Sequence, residues 1–282
     1  MDARAKIVIA TVLFSLSPLF VKLISLDAVS ILWAGMVIAL AAIGIKLIIQ
    51  KRTKELFSFR NNFLTLLGLG VFTAINNSLF TLSIKTTTIA NAVLTHYLAP
   101  ILVLVFGVFM LRERITGKSV IAIVFSFTGL LVMLSPNELS FENSHFLGIL
   151  LGAGSAIFFA LEIIFRKKLA VKYPAEKIVF NYLLIAAIVL LPFVSFSGIM
   201  GISKEAVIAL IGLGAVIMAG GVTLFTSGIR EVKAQYAGLI SYLEPLGSVF
   251  WGFVIAAEVP AVQSLIGGAL ILGGTYIVIK KK

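Results

Sequence analysis

Ten runs of mainly apolar residues, separated by short polar stretches, make up almost the whole chain. A helix needs roughly 20 apolar residues to cross the hydrocarbon core of a bilayer, which is about 30 Å thick. The pattern therefore predicts ten transmembrane helices, joined by connections too short to form a domain outside the membrane. The predicted segments are 7–25, 30–49, 63–84, 89–111, 117–135, 146–165, 178–196, 206–229, 234–257 and 261–279.

The hydrophobic pattern is repeated at an offset of 145 residues, so that residues 89–133 match residues 234–278. Prolines, glycines and single polar residues recur at the same places within long apolar runs, which indicates one structural unit present twice. The matched pairs include Ala92 with Ala237, Tyr97 with Tyr242, Pro100 with Pro245, Gly107 with Gly252, Glu113 with Glu258 and Gly129 with Gly274.

The repeat predicts an all-α polytopic membrane protein with two domains, residues 1–137 and 138–282. Each repeat has five helices, an odd number, so the second copy enters the membrane from the side opposite to the first. Inverted repeats of this kind typically hold a substrate site between them near the membrane midplane. The architecture therefore favours transport by alternating access.

Composition and charge agree with this interpretation. With 60% hydrophobic and 12% charged residues, the chain has too little polar surface for a soluble globule. In the predicted topology, all but three of the 23 basic residues lie on one side of the membrane. The exceptions are Lys22, Lys85 and Lys204. Because cytoplasmic loops retain Lys and Arg, both termini are predicted to be cytoplasmic, in an inner membrane. The net charge of +11 reflects this asymmetry and does not indicate nucleic-acid binding.

Catalytic and metal-binding chemistry has no recognisable pattern in this sequence. There is no cysteine, and the two histidines, His96 and His145, lack metal-ligand spacing. No nucleophilic triad and no phosphate-binding glycine loop is present. The sequence therefore predicts a protein that is not an enzyme and has no cofactor or metal.

Residues 90–134 and 236–279 carry a shared motif. Each has an apolar helix with a central proline, a glutamate near its end, a short link and a final helix that contains glycine. In this motif the chain resembles the two EamA domains of the drug/metabolite transporter superfamily. The resemblance implies a ten-helix transporter whose central cavity is lined by the first, third, fourth, sixth, eighth and ninth helices. Such transporters carry amino acids, other metabolites, nucleotide sugars, phosphorylated sugars, cations or drugs.

Two acids, Glu162 and Glu244, lie well inside predicted spans. An ionisable side chain there is costly unless it faces a cavity or a partner, so both are candidates for binding solute or protons. Glu244 shares a helical spacing with Ser241, Ser248 and Trp251. The structural alternatives are a Glu-Pro fold motif at Glu244 and an ion pair between Glu162 and Arg166.

Neutral polar and aromatic residues complete the predicted substrate site. His96 matches Ser241 in the repeat, which places it on the cavity side, and it titrates near neutral pH, so it joins the two acids as a proton-coupling candidate. Structural hydrogen bonding is the alternative for His96, and packing is the alternative for the tyrosines. The further candidates are Tyr97, Tyr242, Asn77, Ser15, Ser241, Ser248 and Trp251, with helix kinks predicted at Pro18, Pro100 and Pro245.

The sixth segment divides into two strips. Ser155, Phe159 and Glu162 share a predicted cavity face, whereas Gly148 and Gly152 begin a ridge of small residues that permits close helix packing.

The substrate class follows from the charges at midplane depth. Acids and hydroxyls are present there, while Lys22 is the nearest basic residue and lies close to a surface. Phosphorylated cargo requires basic partners, so this pattern disfavours it. We therefore predict an exporter of an amino acid or a related amine-bearing metabolite, in which one chain completes the cavity. Coupling to protons is a hypothesis for the driving force, and movement of the solute down its own gradient is the alternative. A multidrug or organic-cation exporter and a non-transporting membrane scaffold are the alternatives.

Overall fold

The computed structural model describes residues 1–53, 56, 62–87, 89–133, 143–199, 201–256 and 261–279, and this part of the chain is helical without strands. The first half contains α1 (Ala3–Phe14), α2 (Ser17–Lys22), α3 (Ala28–Ile49), α4 (Phe63–Thr86), α5 (Ile89–His96), α6 (Ala99–Leu111) and α7 (Gly117–Met133). The second half contains α8 (Asn143–Ala170), α9 (Ala175–Leu190), α10 (Phe196–Ile199), α11 (Lys204–Ile211), α12 (Val222–Ile229), α13 (Ala234–Ile240), α14 (Leu243–Ala256) and α15 (Val262–Ile279). A 3₁₀ turn (Leu191–Phe193) follows α9, and a π-helix (Gly212–Gly221) joins α11 to α12.

The helices confirm the predicted fold class. Nine helical stretches among the described residues are long and apolar enough to cross a membrane, and α7 is a shorter apolar helix at the position of the predicted fifth segment. The protein is therefore an all-α polytopic membrane protein.

Three predicted segments are interrupted where the sequence has a proline. The breaks fall at Ser15 and Leu16, at Tyr97 and Leu98, and at Ser241 and Tyr242. In each case a helix resumes with proline in its first turn, where its missing N–H and fixed φ are tolerated. The last two breaks share one pair of repeat mates, Tyr97 and Tyr242.

The break at Ser241 corrects one predicted feature. We expected Ser241, Glu244, Ser248 and Trp251 to lie along one helix face, but α13 ends at Ile240 and α14 begins at Leu243. The first segment, predicted as one helix over residues 7–25, is likewise interrupted, because α1 ends at Phe14 and α2 begins at Ser17. Proline prevents a continuous backbone ladder at both places.

The chain forms two compact units, and each combines segments from both halves. The first unit comprises Met1–Ala74 and Phe165–Glu231, and the second comprises Ile75–Ile164 and Val232–Lys282. The boundaries fall within α4 and α8, so these two helices contribute to both units. The two-domain division by repeats stays a prediction.

The first unit has a core in which α3 packs on the π-helix and α11. Ile31, Leu210 and Leu213 belong to this core, and each is less than 5% exposed. At Gly214 an added Cβ would lie 2.7 Å from the carbonyl oxygen of Gly35. Glycine therefore allows the backbones of these two helices to approach closely.

The second unit is built on an equally close contact between α7 and α15. An added Cβ at Gly129 would lie 2.6 Å from the Gly267 carbonyl oxygen, and one at Gly274 would lie 2.8 Å from the Ala122 carbonyl oxygen. Gly129 and Gly274 are repeat mates, so the repeat supplies a small residue to each side of the same helix pair.

Candidate functional site

Most predicted site residues lie in the second unit. Tyr97, Pro100 and His96 come from the region of α5 and α6, while Tyr242 and Glu244 come from the region of α13 and α14. Asn77, Glu162, Ser241, Pro245, Ser248 and Trp251 also belong to this unit, whereas Ser15 and Pro18 belong to the first.

Glu162 is buried on α8 and accepts a hydrogen bond from the side-chain amide of Asn76 on α4, with Nδ2 3.3 Å from Oε2. The amide oxygen of Asn76 is itself buried and has no hydrogen-bond partner among the described residues. A buried acceptor without a partner is costly unless water or a ligand donates to it. The pair therefore combines a carboxyl group with an open acceptor.

His96 ends α5, and its ring is enclosed by side chains of the same unit. Nδ1 lies 2.8 Å from the Ser155 hydroxyl oxygen, and that hydroxyl also donates to the Gly152 carbonyl oxygen at 2.7 Å. Because a serine hydroxyl has one proton to donate, its oxygen accepts from Nδ1–H, which leaves Nε2 as an acceptor in the neutral ring. The geometry therefore selects one tautomer.

Aromatic rings surround the His96 imidazole. The ring centroid of Phe80 is 4.2 Å from it, that of Phe159 is 5.1 Å from it in a stacked arrangement, and the edge of Tyr97 approaches at 5.5 Å. The predicted face of Ser155, Phe159 and Glu162 thus contributes two of its residues to this enclosure.

Tyr97 and Tyr242 connect the two helix breaks. Their rings stack with centroids 5.9 Å apart, and the Tyr242 hydroxyl donates to the Tyr97 carbonyl oxygen at 3.0 Å. The Tyr97 carbonyl is left out of the helical ladder, because the N–H of Ile101, four residues later, donates to the Leu98 carbonyl oxygen instead. The Tyr97 hydroxyl is in turn a hydrogen-bond partner of the Glu244 carboxylate.

The remaining candidates make local contacts. Ser15, Ser241 and Ser248 donate to carbonyl oxygens of Val12, Ala237 and Glu244 in the preceding turn. Trp251 packs edge-on against Phe250, and Asn77 is half-buried on α4. The small-residue ridge packs as predicted: Gly148 and Gly152 lie against Thr87 and Thr95, respectively.

Sequence reasoning missed two residues of importance here. Phe80, whose ring centroid lies 4.2 Å from that of His96, has no polar signal in an apolar segment. Glu113 was matched only to Glu258, which lies outside the described residues. Its carboxylate accepts from the backbone N–H of Ala234 at 2.7 Å and of Gln235 at 3.4 Å. Glu113 thus caps the first turn of α13, where backbone donors are otherwise unsatisfied.

The described residues contain no group of three His, Asp or Glu side chains placed to hold a metal ion. The donors and acceptors of the second unit are carboxylate, amide, imidazole and phenol groups, and aromatic faces lie beside them. Such groups recognise organic solutes through hydrogen bonds and stacking.

A polytopic helical fold with ionisable and aromatic groups inside its spans defines a multi-pass membrane transporter of small molecules. A family model described as the EamA-like transporter family matches residues 5–135 and 146–280. The chain belongs to this family, and the predicted resemblance is confirmed.

Curated relatives agree with the family. The chain is 34% identical over 214 residues to an uncharacterized transporter of Archaeoglobus fulgidus, covering 76% of this chain and 75% of the relative. It is 30% identical to an S-adenosylmethionine uptake transporter of Rickettsia conorii, covering 75% and 69%. It is 26% identical to a pseudopaline exporter of Pseudomonas aeruginosa, covering 65% and 63%.

A solved crystal structure shares the fold. The two structures superpose with a TM-score of 0.84 at 21% identity, and the match covers 98% of this chain and 95% of the other.

Proposed function

We propose that this protein is a secondary transporter that exports an amino acid or a related amine-bearing metabolite by alternating access. In this function the protein lies in the inner membrane, with both termini in the cytoplasm. The distribution of basic residues supports this orientation.

The environment of Glu244 carries the proposal. Its described side-chain partner is the neutral Tyr97 hydroxyl, and no cation forms an ion pair with it among the residues that the structure describes. An acid inside a span normally faces a cavity or a partner of opposite charge. An amine on the solute supplies that charge when it binds.

The second unit also offers neutral groups to the rest of an amino acid. The orphaned Asn76 oxygen accepts from an ammonium group, and the stacked rings of Tyr97 and Tyr242 contact apolar parts of the solute. Names of relatives agree with this class, because one of them takes up a derivative of methionine. The relatives include both an exporter and an uptake transporter, and for this chain we propose export.

Proton coupling is part of the proposal. Glu162, Glu244 and His96 are the groups that alternate between proton and solute in such a cycle. Transport into vesicles that is indifferent to an imposed pH gradient contradicts coupling and leaves facilitated movement of the solute.

The test uses the full chain in proteoliposomes with labelled glycine, leucine, lysine and glutamate. We expect Glu244→Gln to lower the rate of transport at least about tenfold, because the amine loses a charged partner worth on the order of 1.5–3 kcal/mol. Glu205→Gln, which changes an exposed acid at the start of α11, is the control. Equal rates for wild type and Glu244→Gln contradict the proposed role of this acid.

The aromatic enclosure of His96 favours a second candidate, a multidrug or organic-cation exporter. The rings of Phe80 and Phe159 pack against His96, and aromatic rings bind organic cations through π interactions. Broad drug resistance on overexpression, together with no efflux of amino acids, supports this candidate over the first. A scaffold without transport activity predicts that Glu162→Ala and Glu244→Ala change no phenotype.

A further inference from the structure

The first unit contains a cavity of ≈ 590 Å³ that holds none of the predicted substrate residues. Its walls come from α3, from the chain between the end of α8 and the start of α9, from the π-helix and from α12. The volume falls within the range of about 300–1,000 Å³ that is typical of small-molecule sites. All of its lining residues belong to one compact unit.

The π-helix forms a part of the cavity wall that has only small side chains. Ala215, Ala219 and Gly220 of this ten-residue stretch line it. Side chains this small leave room that larger apolar residues would fill. π-helical turns are rare and occur frequently at functional sites.

Charges of both signs line the cavity. Lys46 Nζ lies 3.0 Å from Glu176 Oε1, and these side chains are 49% and 20% exposed. Arg230 follows α12, is exposed, and forms no ion pair within the described part of the chain. A carboxylate accepts up to about four hydrogen bonds, so Lys46 leaves acceptor capacity on Glu176. The wall thus presents one available guanidinium and one partly used carboxylate.

A hydroxyl in the same wall lacks a partner. The Oγ1 atom of Thr223 is buried and has no hydrogen-bond partner among the described residues. Its neighbour Thr226 instead donates to the Val222 carbonyl oxygen at 2.7 Å. Helical threonines usually satisfy their hydroxyl in that way, so the Thr223 hydroxyl is a buried, unsatisfied group on a residue of the cavity wall.

We propose that this cavity is a second binding site for a zwitterionic solute, whose carboxylate binds Arg230 and the Thr223 hydroxyl and whose ammonium group binds Glu176. The inference rests on the proposed function, which supplies the solute class, and adds a site separate from Glu162 and Glu244. A guanidinium group binds a carboxylate through two parallel hydrogen bonds, so Arg230 fixes the orientation of the solute in the site. Apolar lining from Ile43 and Leu224 contacts the remainder of the solute.

The test measures binding stoichiometry for the purified full chain in phosphatidylcholine nanodiscs by equilibrium dialysis. The probes are labelled glycine, leucine, lysine and glutamate. Glycine and leucine are each also compared with the amine and the acid that lack one of the two charges, such as isoamylamine and 4-methylpentanoate for leucine. We expect two molecules of one amino acid per chain and at least about tenfold weaker binding of the singly charged analogues.

Two variants address the cavity, each with a matched control. Arg230→Gln and Thr223→Val are expected to reduce the stoichiometry from two to one, and Glu244→Gln is expected to remove the other molecule. Arg114→Gln is the control for charge, since the hydrogen bonds of Arg114 to other described residues are made by its backbone carbonyl, which accepts from Lys233 and Gln235. Thr86→Val is the control for the hydroxyl. If Arg230→Gln does not fold, Thr223→Val alone decides the outcome.

The outcomes separate this inference from the proposed function. One bound molecule that is lost in Glu244→Gln and kept in Arg230→Gln overturns the cavity site and supports the function. One bound molecule that is lost in Arg230→Gln and kept in Glu244→Gln supports the cavity site and overturns the proposed role of Glu244. Absence of binding by wild type overturns both.

A lipid is the competing occupant. If phosphatidylglycerol, added to the nanodiscs, is retained by wild type and lost in Arg230→Gln while amino-acid binding is unchanged, the cavity binds a lipid headgroup and the inference is overturned.

Discussion

Gly129→Ala tests the contact between α7 and α15 on which the second unit depends. The new Cβ would lie 2.6 Å from the Gly267 carbonyl oxygen and 2.9 Å from the Ile271 backbone nitrogen. Both atoms belong to the backbone of α15, so no change of side-chain rotamer relieves the clash. The two helices must separate instead.

The cost of this separation follows from the contact distances. Close carbon–oxygen contacts between helices are about 3.3 Å or longer, so α15 must move by about 0.7 Å. Overpacking of this kind costs about 1–3 kcal/mol, and it also weakens neighbouring van der Waals contacts. Alanine recovers about 0.5–1 kcal/mol through its higher helix propensity. We expect a net loss of about 1–2 kcal/mol in the free energy of unfolding.

Equilibrium unfolding of the purified protein in mixed detergent micelles measures this loss. Gly117→Ala is the matched control, because it lies in the same helix and an added Cβ there meets nothing within 4 Å. We expect the free energy of unfolding of this control to equal that of wild type or to be slightly higher. Equal stabilities for Gly129→Ala and Gly117→Ala would refute the close contact.

Two further substitutions test hydrogen bonds inside the second unit with the same assay. Tyr242→Phe removes the donor to the Tyr97 carbonyl oxygen and is expected to cost about 1 kcal/mol, whereas stability equal to that of wild type contradicts the bond across the two breaks. Glu113→Ala removes the acceptor at the start of α13 and is expected to cost about 1–2 kcal/mol, with Glu113→Gln losing about half as much because it keeps an acceptor oxygen. An identical loss in both Glu113 variants contradicts a contribution from the acceptor oxygen that glutamine retains.

Most of the fold was predictable because lipid imposes a strong constraint on sequence. Each span must be apolar over a length set by the bilayer, and this requirement appears directly in the pattern of residues. The ends of α4 and α6 match the predicted segments within a few residues. The repeat pointed to glycines at positions 129 and 274 without indicating that both serve one helix pair.

The interruptions were harder to locate. Pro100 and Pro245 predicted kinks, yet the helices break two to four residues before the prolines, at Tyr97 and Leu98 and at Ser241 and Tyr242. Proline excludes the carbonyl four residues earlier from the helical ladder, so the backbone adjusts on its N-terminal side. The π-helix over Gly212–Gly221 has no proline, and hydropathy does not distinguish it from an α-helix.

The candidate site was predicted by residue type and only partly by contact. An acidic side chain inside a span costs free energy and is therefore rare, so Glu162 and Glu244 were recognised from sequence. Their partners were not, because Asn76 and Glu162 are 86 residues apart and no local period connects them.

The sequence by itself determined the class of protein, the spans, the repeat and the costly polar positions, because burial in lipid acts on each residue separately. Only the tertiary structure decided which polar groups meet. It sets Tyr242 against the Tyr97 carbonyl oxygen and places Glu113 at the first turn of α13. It also leaves the Thr223 hydroxyl, on a residue of the first unit's cavity wall, without a hydrogen-bond partner among the residues that the structure describes. Such contacts depend on packing between helices distant in sequence, which hydrophobic periodicity does not encode.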